Sequence, residues 1–196
     1  MEKLRIMSFD LDSFTLVKNK EEKSKRVIDY VKELDVDIAL LQGDTNLLYN
    51  VLFNNKDSKD YFSEYNYANT MFLNHEKSKW VDDYMRKYAS CYVSKLDDSD
   101  IALYNIKKYK KESLWEFRNI LEEYKNIDHK VVAGTLQNVN INDFCKKYNL
   151  NNVCSKPRSN HILVSRGLDA KVVDGPMMES VEVQPMVVDI TYKKVR

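Results

Sequence analysis

The sequence predicts one domain of the α/β or α+β class, and three observations carry that expectation. Runs with a two-residue apolar period alternate with runs at helical spacing along the whole chain. No internal repeat or low-complexity linker separates them, so residues 1–196 are expected to form a single domain. With 196 residues, 43% of them hydrophobic, the chain is long and apolar enough to bury a sizeable core.

The elements follow in order. KLRIMSF, Lys3 to Phe9, alternates polar and apolar residues and predicts a strand. Glu21 to Leu34 predicts a helix, because Val27, Ile28, Val31 and Leu34 recur on one face. Asp37 to Leu41 is a short apolar run of the kind found in buried strands, and Asn46 to Phe53 reads as a short helix. Asn66 to Leu73, Tyr88 to Val93 and Ile101 to Tyr104 read as strands, the last after a turn-like DDSD at Asp97 to Asp100. Glu112 to Tyr124 is an amphipathic helix with Leu114, Phe117, Leu121 and Tyr124 on one side. Lys130 to Ala133 is a strand ending at Gly134. Ile141 to Tyr148 is a helix that Asn140 or Asn138 can cap. Asn160 to Ser165 and Ala170 to Val173 read as a hairpin turning at Arg166-Gly167, and Val187 to Lys193 as a final strand.

Composition narrows the function classes. A formal net charge of +1 is far from the basic balance of a dedicated non-specific nucleic-acid binder. Cys91, Cys145 and Cys154 form an odd, widely spaced set. That argues against a disulfide framework or a zinc pair and for buried, unpaired thiols. No segment approaches the roughly 20 apolar residues of a membrane span, and a cytoplasmic protein is expected. The abundance of Lys, Asn, Asp, Ile and Tyr suits an AT-rich bacterial or phage genome.

GDTN, Gly43 to Asn46, looks like the Gly-Asp-x-Asn motif of metal-dependent phosphoesterases, but it sits in the wrong place. A series of stretches resembles the endonuclease/exonuclease/phosphatase superfamily, of the deoxyribonuclease and apurinic-endonuclease kind. LRIMSFDLD, Leu4 to Asp12, resembles its opening strand. VDIALLQGD, Val36 to Asp44, resembles its Leu-Gln-Glu strand. KVVAGTLQN, Lys130 to Asn138, falls where the family has its Gly-Asp-x-Asn. RSNHILVS, Arg158 to Ser165, and VEVQPMVV, Val181 to Val188, follow in the family's order. The resemblance implies two facing mixed β-sheets sandwiched between helices, a four-layer α-β-β-α fold. It makes the early GDTN a decoy, suited to a turn and helix cap.

The family's chemistry is metal-assisted phosphoester hydrolysis. Carboxylates hold Mg²⁺, an Asp activates water, and a His contacts the phosphate. By the resemblance, nearly every such position is changed here. Asp10 stands for the first-strand Asn, and Gly43 for the metal Glu. Thr135 and Gln137 replace the Asp and Asn of Gly-Asp-x-Asn, and Asn160 replaces a later Asp. Val181, Glu182 and Val183 replace Ser-Asp-His, so an alkyl group stands for the catalytic His. The mid-chain His expected near Ile101 to Asn105 has no counterpart. Thr, Gln and Asn are neutral and cannot replace carboxylate ligands or an anionic base. The framework residues Leu4, Ile38, Leu41, Gln42, Gly134, Arg158, Ile162, Leu163 and Pro185 match.

The expectation is therefore an inactive relative, a pseudoenzyme without cofactor, kept for binding. The alternative is a divergent Mg²⁺-dependent nuclease or phosphodiesterase using Asp10, Asp44 and Glu182 as a rebuilt metal site. Against it stands the simpler account of three acids at strand ends facing solvent. His75, His129 and His161 match no catalytic His. IKKYKK, Ile106 to Lys111, can contact phosphates and stack a base, but more often such a run is a solvated loop or helix start. Trp80, Trp115 and the 13 tyrosines are expected in the core, on sheet faces and at rims. A protein or a phosphorylated ligand is the partner implied, ahead of nucleic acid, and no membrane. Asp10, Gly43, Thr135, Asn160 and Glu182 are expected around one groove.

Overall fold

The computed structural model describes residues 2–15, 19–43, 47, 61–66, 69–74, 79–96, 99–107, 111–154 and 160–192. Its first strand, β1 (Glu2–Asp10), lies between two partners that come from opposite ends of the chain. On one side it runs parallel to β2 (Ile38–Gln42). On the other it runs antiparallel to the last strand, β12 (Met186–Tyr192), with Arg5 opposite Asp189. β3 (Tyr61–Asn66), β4 (Asn69–Asn74) and β11 (Asp169–Val172) complete a six-stranded sheet in the order β11-β12-β1-β2-β4-β3.

The second sheet is also six-stranded and mixed. It contains β5 (Lys79–Met85), β6 (Ala89–Leu96), β7 (Ser99–Lys107), β8 (His129–Thr135), β9 (Leu150–Asn152) and β10 (Asn160–Ser165). Its order is β5-β6-β7-β8-β10-β9, and β7 and β8 are parallel.

Period-two alternation assigns each face. Leu4 and Ile6 of β1, Ile38 and Leu40 of β2, Ile101 and Leu103 of β7, Val131 and Ala133 of β8, and Ile162 and Val164 of β10 share the core between the sheets. The alternate residues Met7, Phe9, Ala39 and Leu41 turn outward. They meet Val27, Tyr30 and Val31 of the helix α1 (Lys20–Glu33). Asn19 caps α1, its side chain accepting from the Glu21 N–H at 2.9 Å. The outer face of the second sheet is covered by α2 (Lys111–Glu123) and α3 (Ile141–Tyr148). There Phe117 stacks on Phe144 with ring centroids 5.5 Å apart. Full burial of each such side chain contributes about 1.5–3 kcal/mol, and it is these faces that hold the four layers together. The four-layer expectation is met.

Several local expectations are corrected. The hairpin expected at Arg166-Gly167 does not form, because β10 pairs with β8 and β9 while β11 pairs with β12 in the other sheet. The chain passes from one sheet to the other there, a choice set by partners distant in sequence. The strand expected over Asn66 to Leu73 is instead part of the antiparallel pair β3–β4. β5 carries no clear strand pattern in the sequence because Asp82 and Asp83 interrupt its apolar run, and β9 carries none because it is three residues long. Trp115 is 62% exposed on α2 rather than packed. Cys91, Cys145 and Cys154 are buried and form no disulfide, as expected. The helix expected over Asn46 to Phe53 lies outside the described residues except for Leu47, which is buried. His75, Arg158 and the side chain of Trp80 also lie outside them. No described helix is long and apolar enough to cross a membrane.

Candidate functional site

Each inward strand face changes from apolar to polar at the same end of the molecule. Leu4 and Ile6 lead to Ser8 and Asp10 on β1, and Ile38 and Leu40 lead to Gln42 on β2. On β7, Ile101 and Leu103 lead to Asn105 and Lys107, and on β8, Val131 and Ala133 lead to Thr135. β10 runs the other way and begins with Asn160, opposite Thr135. Because β1 and β2 are parallel, as are β7 and β8, their carboxyl ends collect at one edge, where open α/β sheets present their sites.

The lower layer of this end is an uncharged network. The Ser8 hydroxyl donates to Asn160 Oδ1 at 2.6 Å, and the Asn160 amide donates to the Ser8 carbonyl at 2.7 Å. Gln42 Nε2 donates to Asn105 Oδ1 at 2.7 Å and to the Leu40 carbonyl at 2.8 Å. The Asn105 amide donates to the Leu41 carbonyl at 2.9 Å. Both sheets are thereby tied together by groups that would be costly to bury unpaired.

The upper layer is ionic. Lys107 Nζ lies 2.7 Å from Asp10 Oδ1 and also contacts Asp12 Oδ2. The Thr135 hydroxyl donates to the other Asp10 oxygen at 2.7 Å. The Asp12 backbone N–H donates to Asp10 Oδ1 at 3.1 Å, which caps the short 3-10 turn Leu11–Ser13 after β1. The side chains of Lys107 and Asp10 are 4% and 13% exposed. An ammonium so enclosed requires a counter-charge, and the two aspartates supply it.

Two glycines shape this end. Gly134, with φ +140°, lies so close to β7 that a Cβ would sit 1.9 Å from the Ile106 carbonyl oxygen. Only glycine permits that approach. Gly43 follows β2 with φ +99°, and a Cβ there would meet Asp12 Oδ1 at 2.8 Å, Lys107 Nζ at 2.9 Å and Asp10 Oδ1 at 3.0 Å. The ion cluster fills the space a side chain at 43 would enter.

No protein-family model matches the sequence, and no curated protein matches it. Solved structures do match. An endonuclease/exonuclease/phosphatase from Bacteroides vulgatus is similar with a TM-score of 0.75 at 12% identity, covering 98% of this chain and 100% of that one. The chain has the endonuclease/exonuclease/phosphatase fold. The catalytic domain of human Nocturnin, solved with a bound sulfate anion, matches with a TM-score of 0.72 at 13% identity, over 97% of this chain and 94% of that one. D. rerio TDP2 complexed with a single-strand DNA product matches with a TM-score of 0.69 at 10% identity, over 97% and 100% of the two chains.

Within the endonuclease/exonuclease/phosphatase fold of this chain, Asp10, Gly43, Thr135 and Asn160 do gather at one end. Glu182 reaches it through its backbone, whose N–H donates to the Ser13 carbonyl at 2.8 Å, while its side chain is exposed. Val181 bridges to Phe14 and packs with the α1-side cluster, away from Asp10 and Lys107. Val183 is half-buried and Gln137 exposed. Asp44 lies outside the described residues. His161 is buried on β10, and His129 is half-buried at the start of β8.

Mg²⁺ does not suit this donor set. It asks for six oxygens in near-octahedral array at 2.0–2.1 Å. Here Gly43 brings no carboxylate, and both Asp10 oxygens already accept from Lys107, Thr135 and the Asp12 N–H. Among the described residues, no three His, Cys, Asp or Glu side chains gather closely enough to hold a metal ion.

By sequence, IKKYKK reads as a solvated loop or helix start, or as a run that contacts phosphates and stacks a base; Lys111 does begin α2. The solvated-loop reading is corrected for Ile106 and Lys107, which belong to β7 and are buried, while residues 108–110 lie outside the description. The available signal was the period of two. Counting on from Ile101, Leu103 and Asn105 puts Lys107 on the inward face, in register with Thr135.

Proposed function

We propose that this phosphoesterase-like chain is a catalytically inactive relative of the metal-dependent enzymes that share its fold, retained as a binding module. The contact of Lys107 with Asp10 carries the reading. An ammonium lies against the carboxylate that would otherwise be available as a ligand, and the neighbouring positions are Gly43, Thr135 and Asn160. None of those three supplies an anionic base or a metal ligand of carboxylate type. A phosphorylated ligand or a protein is the proposed partner. The sulfate in Nocturnin and the DNA product in TDP2 are in keeping with the first, since both present tetrahedral oxyanions. The reducing cytoplasm is the proposed setting, which three buried thiols outside any disulfide suit.

Purified protein incubated with single- and double-stranded DNA, RNA and bis-p-nitrophenyl phosphate, with Mg²⁺ or Mn²⁺, is expected to show no turnover above an Asp10→Asn control. Metal-dependent turnover lost in Asp10→Asn or Glu182→Gln would defeat this reading. It would favour a divergent Mg²⁺-dependent nuclease or phosphodiesterase, for which the backbone link from Glu182 to Ser13 is the supporting observation.

A further inference from the structure

We infer that Lys107 is a built-in cation standing in for a divalent metal, so that the wild-type site neither needs nor admits one. The inference rests on the proposed function for the origin of the site, but it concerns which ion sits there rather than catalysis.

Three independent features converge on the same small volume. Asp10 and Asp12 bring two carboxylates together at the end of β1, which without a cation between them would repel. The Lys107 ammonium contacts both from the facing sheet, arriving on the inward face of β7. Gly43 removes the side chain that would compete for the space, and its absent Cβ would lie 2.9 Å from Lys107 Nζ. Gly43 and Lys107 therefore act as one device. A side chain at 43 crowds the ammonium and both carboxylates, so those side-chain ends must shift to admit it.

The physical difference from a metal is one of tether and charge. An ammonium donates up to three hydrogen bonds and is satisfied by oxygens near 2.7–2.9 Å, whereas Mg²⁺ draws its ligands to 2.0–2.1 Å. The Asp10 contact at 2.7 Å is of the first kind. Thr135 completes the arrangement by donating to the remaining Asp10 oxygen, a role for which a hydroxyl is suited and a carboxylate is not. A cation that is part of the chain cannot be chelated or diluted away. Cohesion of the two sheets at this end is then independent of metal supply.

The test follows Mn²⁺ by electron paramagnetic resonance and folding by thermal melts, in wild type, Lys107→Ala and Lys107→Ala/Asp10→Asn. Wild type is expected to hold no Mn²⁺ more tightly than about 1 mM and to melt alike in MgCl₂ and EDTA. Lys107→Ala exposes two carboxylates and is expected to gain a Mn²⁺ site. Its Tm should rise by about 3–6 °C at ten times the dissociation constant, and the gain should vanish in the double variant. Wild-type Mn²⁺ binding abolished by Asp10→Asn overturns the inference, as does a folded Lys107→Ala that gains no site. If the Lys107 variants do not fold, the wild-type titration decides alone. The two readings separate cleanly. Metal-free turnover by wild type defeats the inactive assignment and leaves Lys107 in place, whereas Mn²⁺ binding at Asp10 without turnover does the reverse.

Discussion

β1 carries an ion cluster on each of its two faces, one near its start and one at its end. Near the start, Arg5 pairs with Asp189 at 2.7 Å and Lys3 pairs with the same carboxylate at 2.6 Å. Arg5 and Asp189 are 22% and 18% exposed and Lys3 is 50% exposed. At the end, Lys107 and Asp10 meet on the inward face with little access to water. The chemistry is alike and the environment is not. Solvent screens the first cluster, so its members are nearly dispensable one at a time. In the second, Asp12 is 47% exposed but Lys107 and Asp10 are enclosed, so removing the ammonium strands the Asp10 carboxylate. Strand alternation alone decides which is which: odd-numbered Arg5 faces the α1 side, and even-numbered Asp10 faces the opposing sheet.

The largest expected effect belongs to the scaffold beneath the enclosed cluster. Gly134→Ala forces a Cβ to within 1.9 Å of the Ile106 carbonyl oxygen at a φ of +140°. More than about 4 kcal/mol of stability should be lost, and β7 and β8 would have to separate. Urea denaturation, or failure to obtain soluble protein, checks it, and a near-wild-type midpoint would show that the close approach is not required.

Lys107→Met comes next. It leaves Asp10 and Asp12 without their ammonium and should cost about 3–5 kcal/mol in urea melts. Adding Asp10→Asn should recover part of that loss. A cost under 1 kcal/mol would erase the contrast between the two clusters.

Gly43→Ala should cost about 1–3 kcal/mol, from the positive φ and the crowding with Asp12, Lys107 and Asp10. The cost should be smaller in a Lys107→Ala background, because part of it is collision with the ammonium. Equal costs in both backgrounds would mean that Gly43 and Lys107 are uncoupled.

Asp189→Asn should have the smallest effect, about 0.5–1 kcal/mol at pH 7 after allowing for solvent screening. Burial pushes the Asp189 carboxyl up, but hydrogen bonds and charge from Arg5 and Lys3 outweigh it and hold it below its ordinary range. A carboxylate depressed in the folded state contributes stability fully present above its unfolded pKa, about 3.9, and lost as pH falls through the folded value. Wild type and Asp189→Asn melts should therefore differ at pH 7 and converge as the pH falls past the unfolded value and through the lowered folded one. A gap that widens on acidification would contradict the assignment.

Much of this molecule was determined by sequence alone, because the information was local or periodic. The two-residue period of β1, the helical face of Val27 and Val31, and a cap at Asn140 or Asn138 could all be read directly, and the structure chose Asn140. So could burial of the three thiols, and the order of stretches whose resemblance set Gly43, Thr135 and Asn160 around one groove. What only the tertiary structure decided depended on partners far away in the chain. Arg166-Gly167 has the composition of a hairpin turn, yet β10 and β11 find better partners in different sheets. Asp82 and Asp83 disguised β5, whose place is set by pairing with β6. Lys107 looked like one more solvated lysine in IKKYKK. Its role arises only because β7 faces β1 across the core, bringing an ammonium to a carboxylate 97 positions away. Charge pairing across a sheet interface leaves no mark on either segment by itself, since a buried lysine and an exposed one are the same residue until the fold supplies the counter-ion.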